Sequence, residues 1–214
     1  MPAAKRPAEA TRRVGSRTSK TRAALLGAAL KLMIEQGYAS ITFRSLGAEA
    51  GVAFGLVRYY FPTLDDLFLA LVEEDVERVV QRFSGAHRAE RPLREIWQLN
   101  AERDGVKLIM EFMAVANYRK PVQTAIRRGA VRIRRAQVEA VSARWSDYGL
   151  DDTEFTPASL VFLLNSVPRM AFMEREFGVN AGQAEALEML IAVLDRAEPV
   201  GRRSRGRGHL RAAR

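Results

Sequence analysis

Apolar residues recur at roughly helical spacing along most of the chain, and no segment alternates in the way of a half-buried strand. This pattern predicts helical segments at about 19–36, 42–50, 53–60, 63–83, 92–102, 106–118, 121–148, 158–177 and 181–197. Gly, Pro or short polar stretches separate these segments, as is usual at helix ends. We therefore predict an all-α protein of about nine helices.

Residue types that begin or end helices stand at several of these boundaries. Ser19, Thr42 and Thr63 have side chains that can cap helix N-termini. Gly37 is expected to end the first helix in the left-handed conformation, and Gly105 is expected to separate the fifth helix from the sixth. The segments at 42–50 and 53–60 are short and joined by a tight turn, which predicts a helix-turn-helix.

A helix-turn-helix brings two short helices into close contact. Leu46, Ala50, Val52 and Val57 would supply the buried contacts, and Gly51 would supply the turn. In this motif the first helix lies across the DNA backbone, and the second places its N-terminal side chains in the major groove. The pattern therefore predicts a DNA-binding unit in the N-terminal part of the chain.

Composition narrows the classes of function. Cys is absent and His occurs only as His87 and His209, so no disulfide framework, metal site or other cofactor is expected. No apolar stretch approaches the ~20 residues of a membrane span, and no apolar segment follows the basic N-terminus as it would in a secretory signal. We therefore expect a cytoplasmic protein with no membrane partner.

The net charge of +9 is concentrated at the two ends of the chain. Residues 1–68 carry a net charge of +5 and residues 198–214 a further +5, which favours a polyanion as partner. We predict a basic disordered arm at 1–17, a DNA-binding domain at 18–62, a larger helical domain at 63–197 and a basic disordered tail at 198–214. The arm and the tail could contact DNA phosphates or could simply be solvated.

The segment from Gly37 to Phe68 resembles the DNA-binding domain of the TetR family of bacterial repressors. Together with the helix before this segment, the resemblance covers about fifty residues, and, as in that family, some 150 residues of helical sequence follow it. The matching positions are Gly37-Tyr38, Thr42, Arg44, Leu46, Ala50-Gly51-Val52, Gly55, Val57, Tyr60-Phe61-Pro62, Asp65 and Leu67.

Four positions depart from the family pattern. Ala53 stands where a Ser usually caps the recognition helix, and Leu56 replaces a common Thr. Arg58 replaces the usual Tyr, and Leu64 replaces the Lys that typically touches phosphate. These departures change individual contacts rather than the expected fold, and Arg58 could restore the contact that Leu64 cannot make.

The resemblance implies a set of DNA-contacting residues on the two short helices. Arg44 would contact phosphate or a base edge, Phe54 or Leu56 would pack against a thymine methyl group, and Arg58 would bind phosphate or a base. Tyr60 could instead pack between helices. The full set is Thr42, Arg44, Ala53, Phe54, Gly55, Leu56, Arg58, Tyr59 and Tyr60.

In the TetR family the later helices form a ligand pocket and a dimer interface, which the resemblance places here within 63–197. It also implies a homodimer through the last two helices, at about 158–177 and 181–197, bound to a palindromic operator. A lining of Met and aromatic residues suits a bulky, mostly apolar effector, although each residue could equally be ordinary core. Arg169 could meet an acidic ligand or pair with a nearby Glu. The candidate lining residues are Trp97, Met110, Met113, Asn117, Tyr118, Trp145, Asn165 and Arg169.

The sequence as a whole predicts a homodimeric repressor that a small-molecule effector releases from its operator. An enzyme is not expected, because the chain has no Cys, no G-x-S-x-G motif and no phosphate-binding Gly loop. The alternative is a constitutive or architectural helical DNA-binding protein without a small-molecule ligand. The sequence leaves repression and activation both open.

Overall fold

The computed structural model describes residues 20–84, 89–151 and 153–199. Within these ranges the regular structure is helical and no strand is found, so the prediction of an all-α fold is confirmed. None of the helices described there is both long and apolar enough to cross a membrane. The helices are α1 (Lys20–Gln36), α2 (Phe43–Ala50), α3 (Phe54–Tyr60), α4 (Leu64–Phe83), α5 (Pro92–Ala101), α6 (Arg103–Tyr118), α7 (Lys120–Ser142), α8 (Pro157–Glu176) and α9 (Gln183–Ala197).

The helix N-termini at Thr42 and Thr63 begin with side-chain caps, as the sequence predicts. Thr42 Oγ1 accepts a hydrogen bond from the Ser45 backbone N–H at 3.0 Å, and Ser45 Oγ accepts one from the Thr42 N–H at 2.9 Å. Thr63 Oγ1 accepts from the Asp66 N–H at 3.1 Å, and the Asp66 carboxylate accepts from the Thr63 N–H at 2.9 Å. The predicted cap Ser19 lies outside the described residues.

Three predicted helix boundaries differ from the structure. Gly37 has a φ of 80° but a ψ of 161°, so it is not in the left-handed helical conformation. Gly105 lies inside α6, and the break between α5 and α6 falls at Glu102. A Cβ at position 105 would lie 3.3 Å from the Leu99 carbonyl oxygen, so the glycine allows α6 to approach the end of α5 closely. α7 ends at Ser142 rather than near Tyr148, because the chain passes into a 3₁₀ turn at Trp145–Asp147.

The described residues form two compact units. The first contains the residues up to Asp75 together with Lys107–Arg128, and the second contains Val76–Val106 and the residues from Gly129 onward. α4, α6 and α7 therefore each contribute residues to both units. The predicted domain boundary between residues 62 and 63 is based on expected function and does not coincide with a boundary between the compact units, so it stays a prediction. The predicted arm at 1–17 and residues 200–214 of the predicted tail lie outside the described residues.

The first unit has its own apolar core, built from α1, the two short helices and the start of α4. Its side chains come from the positions that the helical pattern marks as apolar, and each of them is at most 4% exposed. Phe61, which follows α3, is among them, so it packs between helices. The core side chains include Leu25, Leu26, Leu32, Met33, Leu46, Val57, Phe61, Leu67 and Phe68.

The second unit has a separate core, and a buried carboxylate fixes one end of it. Glu198 is only 5% exposed, although the sequence analysis assigns it to the C-terminal tail. Its carboxylate accepts hydrogen bonds from the backbone N–H of Leu93 at 3.1 Å, the N–H of Arg94 at 3.0 Å and the hydroxyl of Tyr148 at 3.0 Å. Glu198 therefore caps the N-terminus of α5, where residue 91 provides no side-chain cap.

The Tyr148 hydroxyl is the third hydrogen-bond donor to the Glu198 carboxylate. Burial, and after it the adjacent Glu198 carboxylate, raise the pKa of its hydroxyl above the ordinary value, so the group remains protonated and donates. The Arg94 side chain adds a hydrogen bond from Nε to the Glu198 carbonyl oxygen at 2.8 Å. The end of α9 is thus held to the start of α5 by polar contacts that an exposed tail could not form.

Replacing Glu198 with Gln is expected to lower the free energy of unfolding by about 1–3 kcal/mol, because the buried group loses its charge and one of its two acceptor oxygens. Denaturant titration followed by circular dichroism measures this. Glu188→Gln is the matched control: Glu188 is an exposed residue of α9, so its replacement is expected to change stability by less than about 0.5 kcal/mol. Equal effects of the two substitutions would contradict the capping role.

Candidate nucleic-acid interface and ligand site

α2 and α3 approach each other closely across a turn centred on Gly51. Gly51 has φ 66° and ψ 32°, and the Val52 N–H donates to the Gly47 carbonyl oxygen at 2.9 Å. A Cβ at Gly47 would lie 2.9 Å from the Val52 carbonyl oxygen, closer than side chains can be placed. Leu46 and Val57 are completely buried beside this contact. The predicted helix-turn-helix is therefore present, with Gly47 as a close-contact position that the sequence analysis did not single out.

The side chains at the start of α3 face solvent. Phe54 is 52% exposed, Leu56 38% and Tyr59 51%, although all three are large and apolar or aromatic. Ala53 is the N-cap of α3 and provides no side-chain hydrogen bond, as expected for a residue in place of Ser. Exposed large apolar side chains on one short helix are characteristic of a binding surface rather than of a monomer's own core.

An aromatic cluster holds the exposed side chains of α2 and α3 in place. The rings of Phe43 and Phe54, the first residues of α2 and α3, meet edge to face with centroids 6.1 Å apart. The guanidinium carbon of Arg58 lies 5.6 Å from the centroid of Phe43. Phe43 is not among the residues predicted from the sequence. Its position directly after the Thr42 cap, at the start of α2, is the signal that could have indicated it.

The remaining predicted DNA-contacting residues differ in how exposed their side chains are. Arg44 and Gly55 are exposed, and Thr42 is exposed while its side chain caps α2. Tyr60 is half-buried, with its ring 5.2 Å from that of Tyr59, so both of its predicted roles stay open. The structure brings the predicted residues of α2 and α3 into one small unit with mostly exposed side chains.

Residues of α6 and the segment after it contact the chain directly before α2 and after α3 within the first unit. The Glu111 carboxylate accepts a hydrogen bond from the Tyr38 backbone N–H at 2.6 Å. Arg119 forms an ion pair with Asp65 in the first turn of α4, and its guanidinium lies 5.4 Å from the centroid of the Phe68 ring. These contacts join the turn before α2 to α6, and the start of α4 to the residue that follows α6.

The predicted ligand-lining residues fall in both units. Trp97, Trp145, Asn165 and Arg169 belong to the second unit, where the two Trp side chains pack against its apolar core and Asn165 is 7% exposed. The other four lie on the part of α6 that belongs to the first unit: Met110 is half-buried, whereas Met113, Asn117 and Tyr118 are exposed. Their role as ligand contacts stays a prediction.

Asn165 and Arg169 belong to one buried polar network. Arg169 Nη2 donates to Asn100 Oδ1 at 2.6 Å, and Asn100 Nδ2 donates to Asn165 Oδ1 at 3.2 Å. Asn165 Nδ2 in turn donates to Gln137 Oε1 at 3.0 Å. Asn100 and Gln137 are missing from the sequence-based candidates because they lie on other helices, and only tertiary packing brings the four side chains together.

Fold and exposed face together define an all-helical protein with an N-terminal helix-turn-helix. Residues 25–71 match the family model of bacterial regulatory proteins, tetR family. The match covers 47 of the 214 residues and lies on the helix-turn-helix and on the helices before and after it. It is 29% identical over 130 residues to the HTH-type transcriptional regulator HbdR from Aromatoleum sp. (strain CIB). That match covers 56% of this chain and 55% of HbdR, so the chain spans about half the length of this curated relative.

Solved structures share the fold over most of the chain. A TetR transcription regulator from Haloarcula marismortui ATCC 43049 superposes with a TM-score of 0.57 at 19% identity, covering 83% of this chain and 97% of that one. The multidrug binding protein EbrR, solved in complex with ethidium, gives a TM-score of 0.53 at 23% identity, covering 81% of this chain and 98% of EbrR. At these identities the similarity establishes the fold.

Gly47→Ala is expected to lower the free energy of unfolding by about 1–3 kcal/mol, because the added Cβ forces α2 away from the Val52 carbonyl oxygen. Gly27→Ala is the matched control. Gly27 lies in α1 with nothing within 4 Å of its Cβ position, so Ala is expected to stabilise the protein by about 0.5–1 kcal/mol. Thermal unfolding of both variants measures the two changes in stability, which are expected to have opposite signs. Unchanged stability of the Gly47→Ala variant would contradict the close contact.

Proposed function

We propose that this chain is a ligand-responsive transcriptional repressor that binds a palindromic operator as a homodimer. The observation that carries the proposal is the exposed face of α3, where Phe54, Leu56, Arg58 and Tyr59 project from a helix fixed against α2. A helix-turn-helix presents side chains at this position to the major groove. The match of residues 25–71 to the tetR family model supports the same use of these residues.

Chemistry assigns distinct roles to the exposed residues. Phe54 and Leu56 are apolar and suit contact with thymine methyl groups, which only the major groove displays. Arg58 is a cation held beside Phe43, from where it can reach a phosphate or a guanine edge. Leu64 cannot bind phosphate, so we propose that Arg58 takes over the backbone contact missing at the start of α4. Residues 18–62 would then form the DNA-reading domain.

Dimerisation is proposed to occur through α8 and α9, both of which belong to the second unit. Phe162 and Met170 on α8 are 56% and 53% exposed, and Met189 and Ile191 on α9 are 71% and 40% exposed. Apolar side chains of this size on adjacent helices suit burial against a second copy of the same surface. A twofold dimer would place two copies of α3 about one DNA turn apart, as a palindrome requires.

An effector would act by changing the relative populations of dimers that fit and do not fit the operator. α4, α6 and α7 contribute residues to both units, so they are the elements able to carry such a change. EbrR, with the same fold, was solved in complex with ethidium, which supports a small-molecule effector for this chain as well. We propose a bulky, mostly apolar effector bound within 63–197.

A constitutive DNA-binding protein without ligand is the second candidate. The exposed face of α3 would serve it equally well. The two candidates differ in whether any small molecule changes operator affinity.

Arg58→Ala is expected to weaken operator binding by about 1–3 kcal/mol if the guanidinium reads a base edge. Fluorescence anisotropy with the palindrome footprinted upstream of the protein's own gene measures the affinity. Arg128→Ala is the control, since Arg128 is an exposed cation of α7 outside α2 and α3. Unchanged affinity of the Arg58 variant on this palindrome and on scrambled DNA would contradict the role.

Met170→Glu is expected to convert the dimer to monomer and to weaken operator binding by more than tenfold, because a charge would enter an apolar interface. Light scattering after size exclusion measures the mass. Val131→Glu introduces the same charge at a 64% exposed apolar position of α7 in the same unit, and it is expected to leave the dimer intact. Dissociation by both variants, or by neither, would contradict an interface confined to α8 and α9.

A further inference from the structure

We propose that the second unit binds the carboxylate of an otherwise apolar effector at Arg169, with Arg134 beside it. The inference rests on the proposed ligand-responsive function and specifies its effector class. It depends on three features of the described residues: an unpartnered buried donor, a network that provides Arg169 with a single acceptor, and two cations without a carboxylate.

The unpartnered donor is Arg169 Nε, which is shielded from solvent and has no hydrogen-bond partner. Within the described ranges it is the one buried side-chain polar atom left in this state. Leaving a charged donor unpaired in the interior is costly, and native proteins rarely do so without a functional reason. A carboxylate oxygen is the strongest partner for such a group.

The network around Arg169 has a fixed direction. A guanidinium can only donate, so Asn100 turns its oxygen toward Arg169 and its amide nitrogen toward Asn165. The Asn100 and Asn165 nitrogens also donate to the backbone oxygens of Ile96 and Val161, at 2.7 Å each. Among the described residues, the Asn100 oxygen is the one acceptor to which the Arg169 side chain donates.

Two positive charges lie close together in this part of the unit. Burial, and after it the charge of Arg134, lower the pKa of Arg169, and burial lowers the pKa of Arg134. Neither arginine forms an ion pair with a carboxylate among the described residues. The predicted alternative that Arg169 pairs with a nearby Glu is therefore wrong for the described residues. An anion would relieve both the burial cost and the mutual repulsion.

The surroundings suit a ligand with an apolar body. The guanidinium of Arg134 lies 5.6 Å from the centroid of the Phe162 ring, so an aromatic face lies next to one of the two cations. Arg169 itself is directed toward Asn100, a 3% exposed residue of α5, so its charged group points into the unit. This direction favours a small molecule over a carboxylate on the surface of a second copy.

The test compares carboxylates with their neutral amides on the full-length protein. Benzoate, 2-naphthoate and octanoate are titrated by calorimetry alongside benzamide, 2-naphthamide and octanamide. At least one carboxylate is expected to bind about tenfold or more tightly than its amide, because a charge-assisted contact replaces a neutral one. Arg169→Gln is expected to abolish this preference, and Arg169→Lys to retain part of it.

Arg175→Gln is the matched control, since Arg175 is an exposed arginine on the same helix. It is expected to leave the preference unchanged. Equal binding of every carboxylate and its amide to the wild-type protein would overturn the proposal. So would an Arg169→Gln variant that keeps the preference but dissociates into monomers, because Arg169 would then serve a second copy of the chain.

Operator binding separates failure of this inference from failure of the proposed function. Wild-type protein without any probe is titrated with the palindrome and with scrambled DNA. A protein that prefers the palindrome but shows no carboxylate preference contradicts the effector class alone. A protein that binds both DNAs equally contradicts the proposed function, whatever the calorimetry shows.

Discussion

The close approach of α2 to α3 at Gly47 is the contact on which the exposed surface of α3 depends. Only a residue without Cβ allows the Val52 carbonyl to come so near, and Gly51 turns the chain through a positive φ beside it. Because Leu46 and Val57 are then sealed beneath the contact, the start of α3 can leave large side chains in solvent without losing its position. The close contact between α2 and α3 thus supports an exposed, largely apolar surface at the start of α3.

The second unit contains one buried and one partly buried charged group, and their hydrogen bonding differs. Glu198 is fully provided with donors, since α5 and Tyr148 supply three hydrogen bonds, so its burial adds to the stability of the fold. Arg169 has one strong acceptor and a shielded N–H with none. The hydrogen bonds of Glu198 stabilise the fold, whereas the unpaired N–H of Arg169 carries a free-energy cost that a bound anion would remove.

Much of the local architecture could be predicted from the chain alone. The apolar period located the helices, and Thr42 and Thr63 marked two starts correctly because their caps use neighbours three residues away. Gly105 was misread, because a glycine inside a helix and a glycine ending one are alike until the neighbouring helix is placed. Phe43 was missed because its role depends on Phe54 and Arg58, which reach it only after α2 and α3 pack.

The sequence by itself determined the helical class, the helix-turn-helix and the match of residues 25–71 to a regulatory family, since these follow from short-range periodicity, capping and a compact motif. Tertiary structure alone decided which polar side chains meet in the interior. Asn100, Gln137 and Arg169 lie on three different helices, and Glu198 reaches a helix that begins more than a hundred residues earlier. Contacts over such separations depend on how helices pack, and no local pattern encodes that arrangement.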